Sequence, residues 1–147
     1  MENNREGVII ADTSGLVSLF LPADHNHKVS LKAAKALQRA HFDILIPPAV
    51  FVEFLNILGR IAGHTIARAA VSELTPPFLI LTTQTNISQA LKKFESLPQG
   101  VSFTDCLVMA TADEYETRDI FGFDKQFADA GYTRIVPSTE WEQDEGL

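Results

Sequence analysis

Five short, mostly apolar segments recur along the chain and alternate with longer segments of helical pattern. The predicted strands are Val8–Ala11, Ile44–Ile46, Phe78–Leu81, Ile120–Phe123 and Arg134–Val136. The predicted helices are a turn and helix after Asp12, then His25–Ala40, Ala49–Ala62, Thr65–Leu74, Ile87–Leu97, Ser102–Tyr115 and a short one after Asp124. Apolar strands that alternate with helices indicate a mostly parallel sheet covered on both faces. The sequence therefore predicts an α/β fold of three layers, α/β/α, around a five-stranded sheet.

Length and charge limit what such a chain does. With 147 residues, 46% of them hydrophobic, it fits one domain, which we expect to span residues 1–137, followed by an acidic C-terminal tail at 138–147. The net charge of −7 argues against a protein that holds nucleic acid mainly by neutralising its phosphates, but it does not exclude one that works through a bound metal.

The single cysteine and the lengths of the apolar runs suggest the cellular compartment of the protein. Cys106 has no partner for an intrachain disulfide, which fits a reducing compartment. The apolar runs fall well short of the roughly 18 residues that a membrane span requires. We therefore expect a cytoplasmic protein with no membrane association.

Four acidic residues stand in apolar sequence. Asp12 follows the first predicted strand, Glu53 lies within an apolar helical segment, Asp105 opens a helix that is apolar on nearly every face, and Asp124 follows the fourth strand. Burying an ionised carboxylate is costly unless it is paired or bound to a cation. No Lys or Arg stands near the first three in sequence, so pairing does not explain them locally.

These four carboxylates fall where open α/β sheets bind ligands, at the carboxyl ends of strands and the starts of the following helices. Several oxygen ligands that converge in one cleft suit Mg²⁺ or Mn²⁺. Such clusters support hydrolysis of phosphodiesters by metal-activated water. The sequence thus favours a metal-dependent nuclease with Asp12, Glu53, Asp105 and Asp124 as metal and catalytic residues.

Helix capping is the alternative explanation for three of the four acids. Ser102 and Asp105 have the spacing of a capping box, Asp12 or Ser14 is placed to cap the helix after the first strand, and Asp124 is placed to cap the last short helix. Capping and metal ligation remain open for each of them. Glu53 lies too far inside its helix to cap it, so its alternative is a hydrogen-bonded acid at the apolar edge.

Four segments together resemble the PIN-domain family, and within it the short VapC-like ribonuclease toxins. The resemblance runs from about Val8 to Pro137 and is specific because the four segments occur in order at the family's spacing. They are Ile10–Ser14, Pro47–Leu55, Ser102–Ala110 and Phe123–Phe127.

This resemblance implies a PIN-like fold and a metal-dependent endoribonuclease that cleaves single-stranded or structured RNA. It implies Asp12 and Asp105 as the principal ligands of Mg²⁺ or Mn²⁺, with Glu53 and Asp124 completing the cluster. It also implies that Thr13, Ser14 or Thr104 binds the substrate phosphate or a ligand. In such relatives the protein is a homodimer and the toxin of a toxin–antitoxin pair, so an antitoxin protein is the expected partner besides RNA.

One departure from the family pattern concerns the fourth acid. Many relatives carry Thr or Ser two residues before it, where this chain has Gly122. A hydroxyl group is therefore missing beside Asp124. This departure motivates a second hypothesis, a catalytically weak PIN-like module that binds RNA or protein, and a third is a metal-dependent phosphatase.

Overall fold

The computed structural model describes residues 6–75, 78–83 and 86–135 and contains a five-stranded sheet in which every pairing is parallel. The strands are β1 Gly7–Ala11, β2 Phe42–Ile46, β3 Leu79–Leu81, β4 Asp119–Phe121 and β5 Thr133–Arg134. The helices are α1 Thr13–Phe20, α2 His27–Arg39, α3 Pro48–Ala62, α4 His64–Glu73, α5 Ile87–Ser96, α6 Phe103–Glu114 and α7 Lys125–Asp129. The predicted fold class is confirmed, and the predicted elements are present with ends shifted by a few residues.

Strand order is β3-β2-β1-β4-β5, so β1 lies at the centre. The chain moves outward from β1 to β3 on one side, then crosses back to place β4 and β5 on the other. Because such crossovers are right-handed, the change of direction puts helices on both faces of the sheet. The carboxyl ends of β1 and β4 are neighbours at this reversal, which is the position where α/β sheets bind ligands.

Helix α6 is the most deeply enclosed helix among the described residues. Every residue from Asp105 to Ala112 is buried, as its apolar pattern predicts. The helix packs against β1 and α5. Large side chains from both faces of the sheet complete the core, with Ile10, Phe54 and Phe121 fully buried.

Three sequence predictions reach beyond the described residues. The predicted fifth strand includes Val136, whereas β5 is described as Thr133–Arg134. The domain end at 137 and the acidic tail at 138–147 lie outside the described residues and stay predictions.

None of the described helices is long and apolar enough to span a bilayer.

A close contact between α1 and β4 sets the position of the β1–α1 turn. The backbone nitrogen of Asp12 donates to the carbonyl oxygen of Phe121 at 3.1 Å. Gly15 in the first turn of α1 packs on that same carbonyl, and a Cβ atom added to Gly15 would stand 1.9 Å from the oxygen. Only glycine allows this approach, and it holds Asp12 against the end of β4.

We predict that Gly15→Ala lowers the free energy of unfolding by at least about 2 kcal/mol, since backbone must move to admit the methyl group. Gly59→Ala is the matched control, because a Cβ there meets its nearest atom at an ordinary 3.9 Å within α3. That substitution should be neutral or stabilise by up to about 1 kcal/mol through helix propensity. Urea denaturation of both variants measures the difference, and equal stabilities would contradict the packing described for Gly15.

Candidate active site

Three of the four predicted acids meet at the reversal of strand order. One carboxylate oxygen from each of Asp12, Asp105 and Asp124 lies within 4.8 Å of the others. We call these three residues the carboxylate cluster. Asp12 and Asp105 are 3% and 6% exposed, and Asp124 is the most exposed of the three. Residues more than a hundred positions apart in sequence thus share one small site.

Asp12 is both a cap and a member of the carboxylate cluster. It is the N-cap of α1, and its Oδ2 accepts hydrogen bonds from the backbone nitrogen of Ser14 at 3.4 Å and from Ser14 Oγ at 2.9 Å. Ser14 Oγ in turn accepts from the backbone nitrogen of Phe123 at 3.0 Å. One hydroxyl therefore ties the end of β1 to the segment that carries Asp124.

Asp105 closes the predicted capping box. Ser102 Oγ accepts from the backbone nitrogen of Asp105 at 3.0 Å, and Asp105 Oδ2 accepts from the backbone nitrogen of Ser102 at 3.1 Å. Gln126 Nε2 donates to the same Oδ2 at 3.2 Å. The bonds from Ser102 and Gln126 to the Asp105 side chain both engage Oδ2. Capping therefore leaves Oδ1 available to a cation, and the two interpretations are compatible.

Asp124 stands at the N-cap position of α7, but its side chain makes no capping hydrogen bond. One of its carboxylate oxygens instead lies within 4.8 Å of an oxygen from each of Asp12 and Asp105. Capping therefore does not account for Asp124. The structure places its side chain toward the other two acids.

Burial and electrostatic repulsion raise the pKa values of Asp12 and Asp124. Burial most of all, and then the charge of Asp124, raise the pKa of Asp12 to about 7. The hydrogen bond from Ser14 acts in the opposite direction, and the charge of Asp105 adds a smaller increase. Burial and the charges of Asp105 and Glu53 also raise the pKa of Asp124, while Asp12 and Arg134 act in the opposite direction. Two neighbouring carboxyl groups that resist ionisation together are typical of a site completed by a cation.

Basic side chains do not neutralise the carboxylate cluster directly. Within the described residues none of the three acids forms an ion pair with Lys or Arg, and the nearby Arg134 donates to the carbonyl oxygen of Phe123 at 2.7 Å. The ion pairs to Lys93 and Arg118 belong to Asp113, at the far end of α6. The oxygen donor set fits a hard divalent ion such as Mg²⁺ or Mn²⁺.

Glu53 lies outside the carboxylate cluster. It is exposed on α3, whose buried face is formed by Val50, Phe54 and Leu58. Its charge still acts on Asp124, so it faces the same side of the molecule. Val52 beside it is 57% exposed, which shows why apolar neighbours in a helical sequence do not imply burial.

The three predicted hydroxyl residues differ in their surroundings. Ser14 bridges Asp12 and Phe123, as described above. Thr13 is 7% exposed, and its Oγ1 is the one buried side-chain N or O atom without a hydrogen-bond partner among the described residues. Thr104 is half-buried in the first turn of α6.

Gly122 has a steric role that sequence reasoning missed. A Cβ atom on Gly122 would stand 2.7 Å from Asp12 Cβ and 3.3 Å from Ser14 Oγ. A threonine or serine on this backbone would displace Asp12. Ser14 Oγ occupies the gap between the two acidic segments.

Gln126 and Arg134 are the other residues near the carboxylate cluster that sequence reasoning missed. Gln126 supports Asp105, and Arg134 lowers the pKa of Asp124. No spacing rule marks either residue, because each reaches the site from an element that only the folded chain brings there. The proximity of Gln126 to Asp124 in sequence was the one available hint.

The chain resembles known proteins both in sequence and in fold. The PIN domain family model matches residues 9–131. A solved structure of Mycobacterium tuberculosis VapC20, described as a sarcin-ricin loop cleaving toxin, superposes with a TM-score of 0.74 over 88% of this chain and 99% of that chain, at 22% sequence identity. At that identity the likeness is one of fold. No curated protein sequence matches significantly.

Metal binding should stabilise this protein, because an ion that binds only the folded carboxylate cluster raises its stability by mass action. We predict that Mg²⁺ or Mn²⁺ raises the melting temperature of the wild type, measured by thermal shift against EDTA. Asp105→Asn should lose most of this response. A matched control is Glu95→Gln, an exposed acid on α5, which should respond like the wild type. Equal responses of Asp105→Asn and wild type would place the ion elsewhere.

Without metal, the stability of the wild type should fall as pH rises from about 4 to about 7. The reason is that folded Asp12 keeps its proton up to about 7, whereas the unfolded chain releases it near 3.8. Asp12→Asn preserves the shape of the cap and removes this titration. Chemical denaturation in EDTA across that range should therefore show a smaller fall for Asp12→Asn, and identical slopes would contradict the raised pKa.

Proposed function

Since this chain belongs to the PIN domain family, we propose that it is an endoribonuclease that cleaves single-stranded or structured RNA with the help of Mg²⁺ or Mn²⁺. One observation carries the proposal: three carboxylates from distant segments lie within 4.8 Å of one another at the reversal of strand order. Like charges gathered in a buried position cost stability, so their proximity calls for a compensating cation.

Asp12, Asp105 and Asp124 are the proposed metal ligands. When bound, a divalent ion lowers the pKa of coordinated water and offsets negative charge on a reacting phosphate. Asp12 and Asp105 are rigid ligands in this proposal, because their carboxylates accept hydrogen bonds from Ser14, Ser102 and Gln126 that hold them in place. Asp12 must lose its proton for the site to bind the ion, which ties occupancy to pH.

Glu53 is the proposed fourth acid, and its exposure suits a role at the rim of the site. Its charge reaches Asp124, but it does not approach within the short distances that join the other three. We assign it to the positioning of water or substrate beside the ligands. Its contribution to activity should therefore be smaller than that of the carboxylate cluster.

Hydroxyl groups beside the carboxylate cluster are proposed to position the substrate. Thr13 Oγ1 has an unused hydrogen-bonding capacity in a buried position next to Asp12, and buried polar groups are usually satisfied. A phosphate oxygen or a bound water would satisfy it. Thr104 is placed in the turn that carries Asp105, and Ser14 holds Asp12 in place.

Partners and biological setting follow from the fold neighbour rather than from contacts in this structure. VapC20 is described as a toxin that cleaves the sarcin-ricin loop. By analogy we propose an RNA substrate, an antitoxin protein as partner, a homodimer and the cytoplasm as the site of action. The identity of the RNA target depends on surfaces outside the carboxylate cluster.

The activity is tested by incubating purified protein with single-stranded RNA and Mg²⁺. We expect cleavage that stops in EDTA and falls by roughly 100-fold or more in Asp105→Asn, since a change in the outer shell of a metal site already costs 10–100-fold. Product analysis by denaturing gel electrophoresis gives both the rate and the cut positions.

Two further variants sharpen this test. Glu53→Gln should reduce the rate less than Asp105→Asn does, and Glu95→Gln should not change it. Cleavage that survives both EDTA and Asp105→Asn would overturn the proposal. RNA binding without any metal-dependent cleavage would favour the binding-module alternative, and turnover of an aryl phosphate without RNA cleavage would favour the phosphatase.

A further inference from the structure

A groove borders the carboxylate cluster on the side of α7. Its volume is about 300 Å³, and it lies between the loop that joins α5 to α6 and helix α7. We call it the α7 groove. Its walls are formed mainly by Leu97, Pro98 and Val101 from the loop and by Lys125, Gln126 and Ala130 from the helix side.

A residue next to the loop wall of the α7 groove and a residue of its helix wall both donate hydrogen bonds to Oδ2 of Asp105. On the loop side, Ser102 directly follows Val101 and donates its backbone N–H to Asp105 Oδ2 at 3.1 Å. On the helix side, Gln126 Nε2 donates to Asp105 Oδ2 at 3.2 Å. Lys125 directly follows Asp124 in sequence. The groove therefore lies next to the carboxylate cluster, separated from Asp105 by the side chain of Gln126.

We propose that the α7 groove binds one nucleobase of the RNA strand, next to the phosphodiester held at the carboxylate cluster. This inference rests on the proposed function, since it assumes that RNA reaches the cluster. Single-stranded RNA is recognised through unstacked bases, which bind apolar surfaces by their faces and polar groups by their edges.

The chemistry of the walls fits a base better than it fits a phosphate. Leu97, Pro98 and Val101 offer an apolar surface to the faces of a base. Gln99 and Asp129, which also line the groove, offer an amide and a carboxylate to its edge. A volume of about 300 Å³ is at the small end of the range of ligand pockets.

The charges of α7 also suit a nucleotide at the edge of the groove. Lys125 is exposed and directly follows Asp124 in sequence, and a lysine ammonium is a favourable partner for a phosphate of the RNA backbone. Asp129 would repel a phosphate placed deep in the groove. The base is thus expected inside, and the sugar-phosphate backbone outside toward the carboxylate cluster.

The test combines a variant that fills the groove with RNA that lacks one base. Ala130→Leu narrows the groove just after the end of α7. Ala128→Leu in α7, exposed and outside the lining, is its matched control. A fluorescein-labelled single-stranded RNA is titrated with each protein and followed by anisotropy, with Ca²⁺ present to neutralise the carboxylates. An abasic nucleotide is moved along the strand one position at a time.

For wild type and Ala128→Leu, we expect one abasic position to weaken binding roughly 10-fold, the scale of one lost base contact. Ala130→Leu should bind the intact RNA roughly 10-fold more weakly, and the same abasic position should then have no further effect. Folded Ala130→Leu that binds every RNA like the wild type would overturn the inference, as expected if the groove instead serves a protein partner.

A second variant decides the question if Ala130→Leu does not fold. Gln99→Ala removes an exposed amide from the groove, and Gln89→Ala removes an exposed amide from α5 as its control. Gln99→Ala should weaken binding of intact RNA several-fold and have no effect on the RNA abasic at the sensitive position. Identical behaviour of the two glutamine variants would overturn the inference.

The same proteins are assayed for cleavage with Mg²⁺, so the two proposals fail separately. If the wild type cleaves RNA, but the abasic position weakens binding equally in the wild type and in the groove variants, only the base-binding inference fails. Coupling between groove and base without cleavage removes the nuclease proposal and leaves the α7 groove as a binding site.

Discussion

Repulsion among three carboxylates at the end of β1 and β4 is the constraint around which this site is built. Asp12 and Asp105 are almost fully buried, and a carboxylate oxygen of Asp124 lies within 4.8 Å of one from each of them. Because no Lys or Arg among the described residues pairs with them, burial and mutual repulsion raise the pKa of Asp12 to about 7. The fold tolerates this unfavourable arrangement only through contacts elsewhere, which is typical of a functional site.

The surrounding backbone makes the arrangement possible by using the same residues twice. Asp12 and Asp105 each satisfy the free N–H groups at the start of a helix while they present a carboxylate to the site. Gly15 and Gly122 allow the β1–α1 turn to approach β4 more closely than any side chain would permit. Ser14 then links the two acidic segments with one hydroxyl. Caps, glycines and the three acids form one compact unit at the reversal of strand order.

Local patterns in the sequence predict much of this structure. Short apolar runs identify the five strands, and the capping box at Ser102 and Asp105 forms as its spacing predicts. Apolar sequence around Asp12 and Asp105 correctly indicates burial. Glu53 is exposed although its neighbours in sequence are apolar. A helix turns about 100° per residue, which carries Glu53 away from the buried face that contains Phe54. The roles of Gln126, Arg134 and Gly122 depend on contacts between distant segments, which no local pattern contains.

The central claim, that the carboxylate cluster exists to hold a divalent cation, is tested most directly by anomalous diffraction from crystals soaked in Mn²⁺. We predict an anomalous peak for an ion bound by oxygens of Asp12, Asp105 and Asp124, and the loss of that peak in Asp105→Asn crystals. A fully soaked crystal in which Mn²⁺ binds only at other acidic residues, with these three carboxyl groups protonated or hydrogen-bonded to one another, would contradict it.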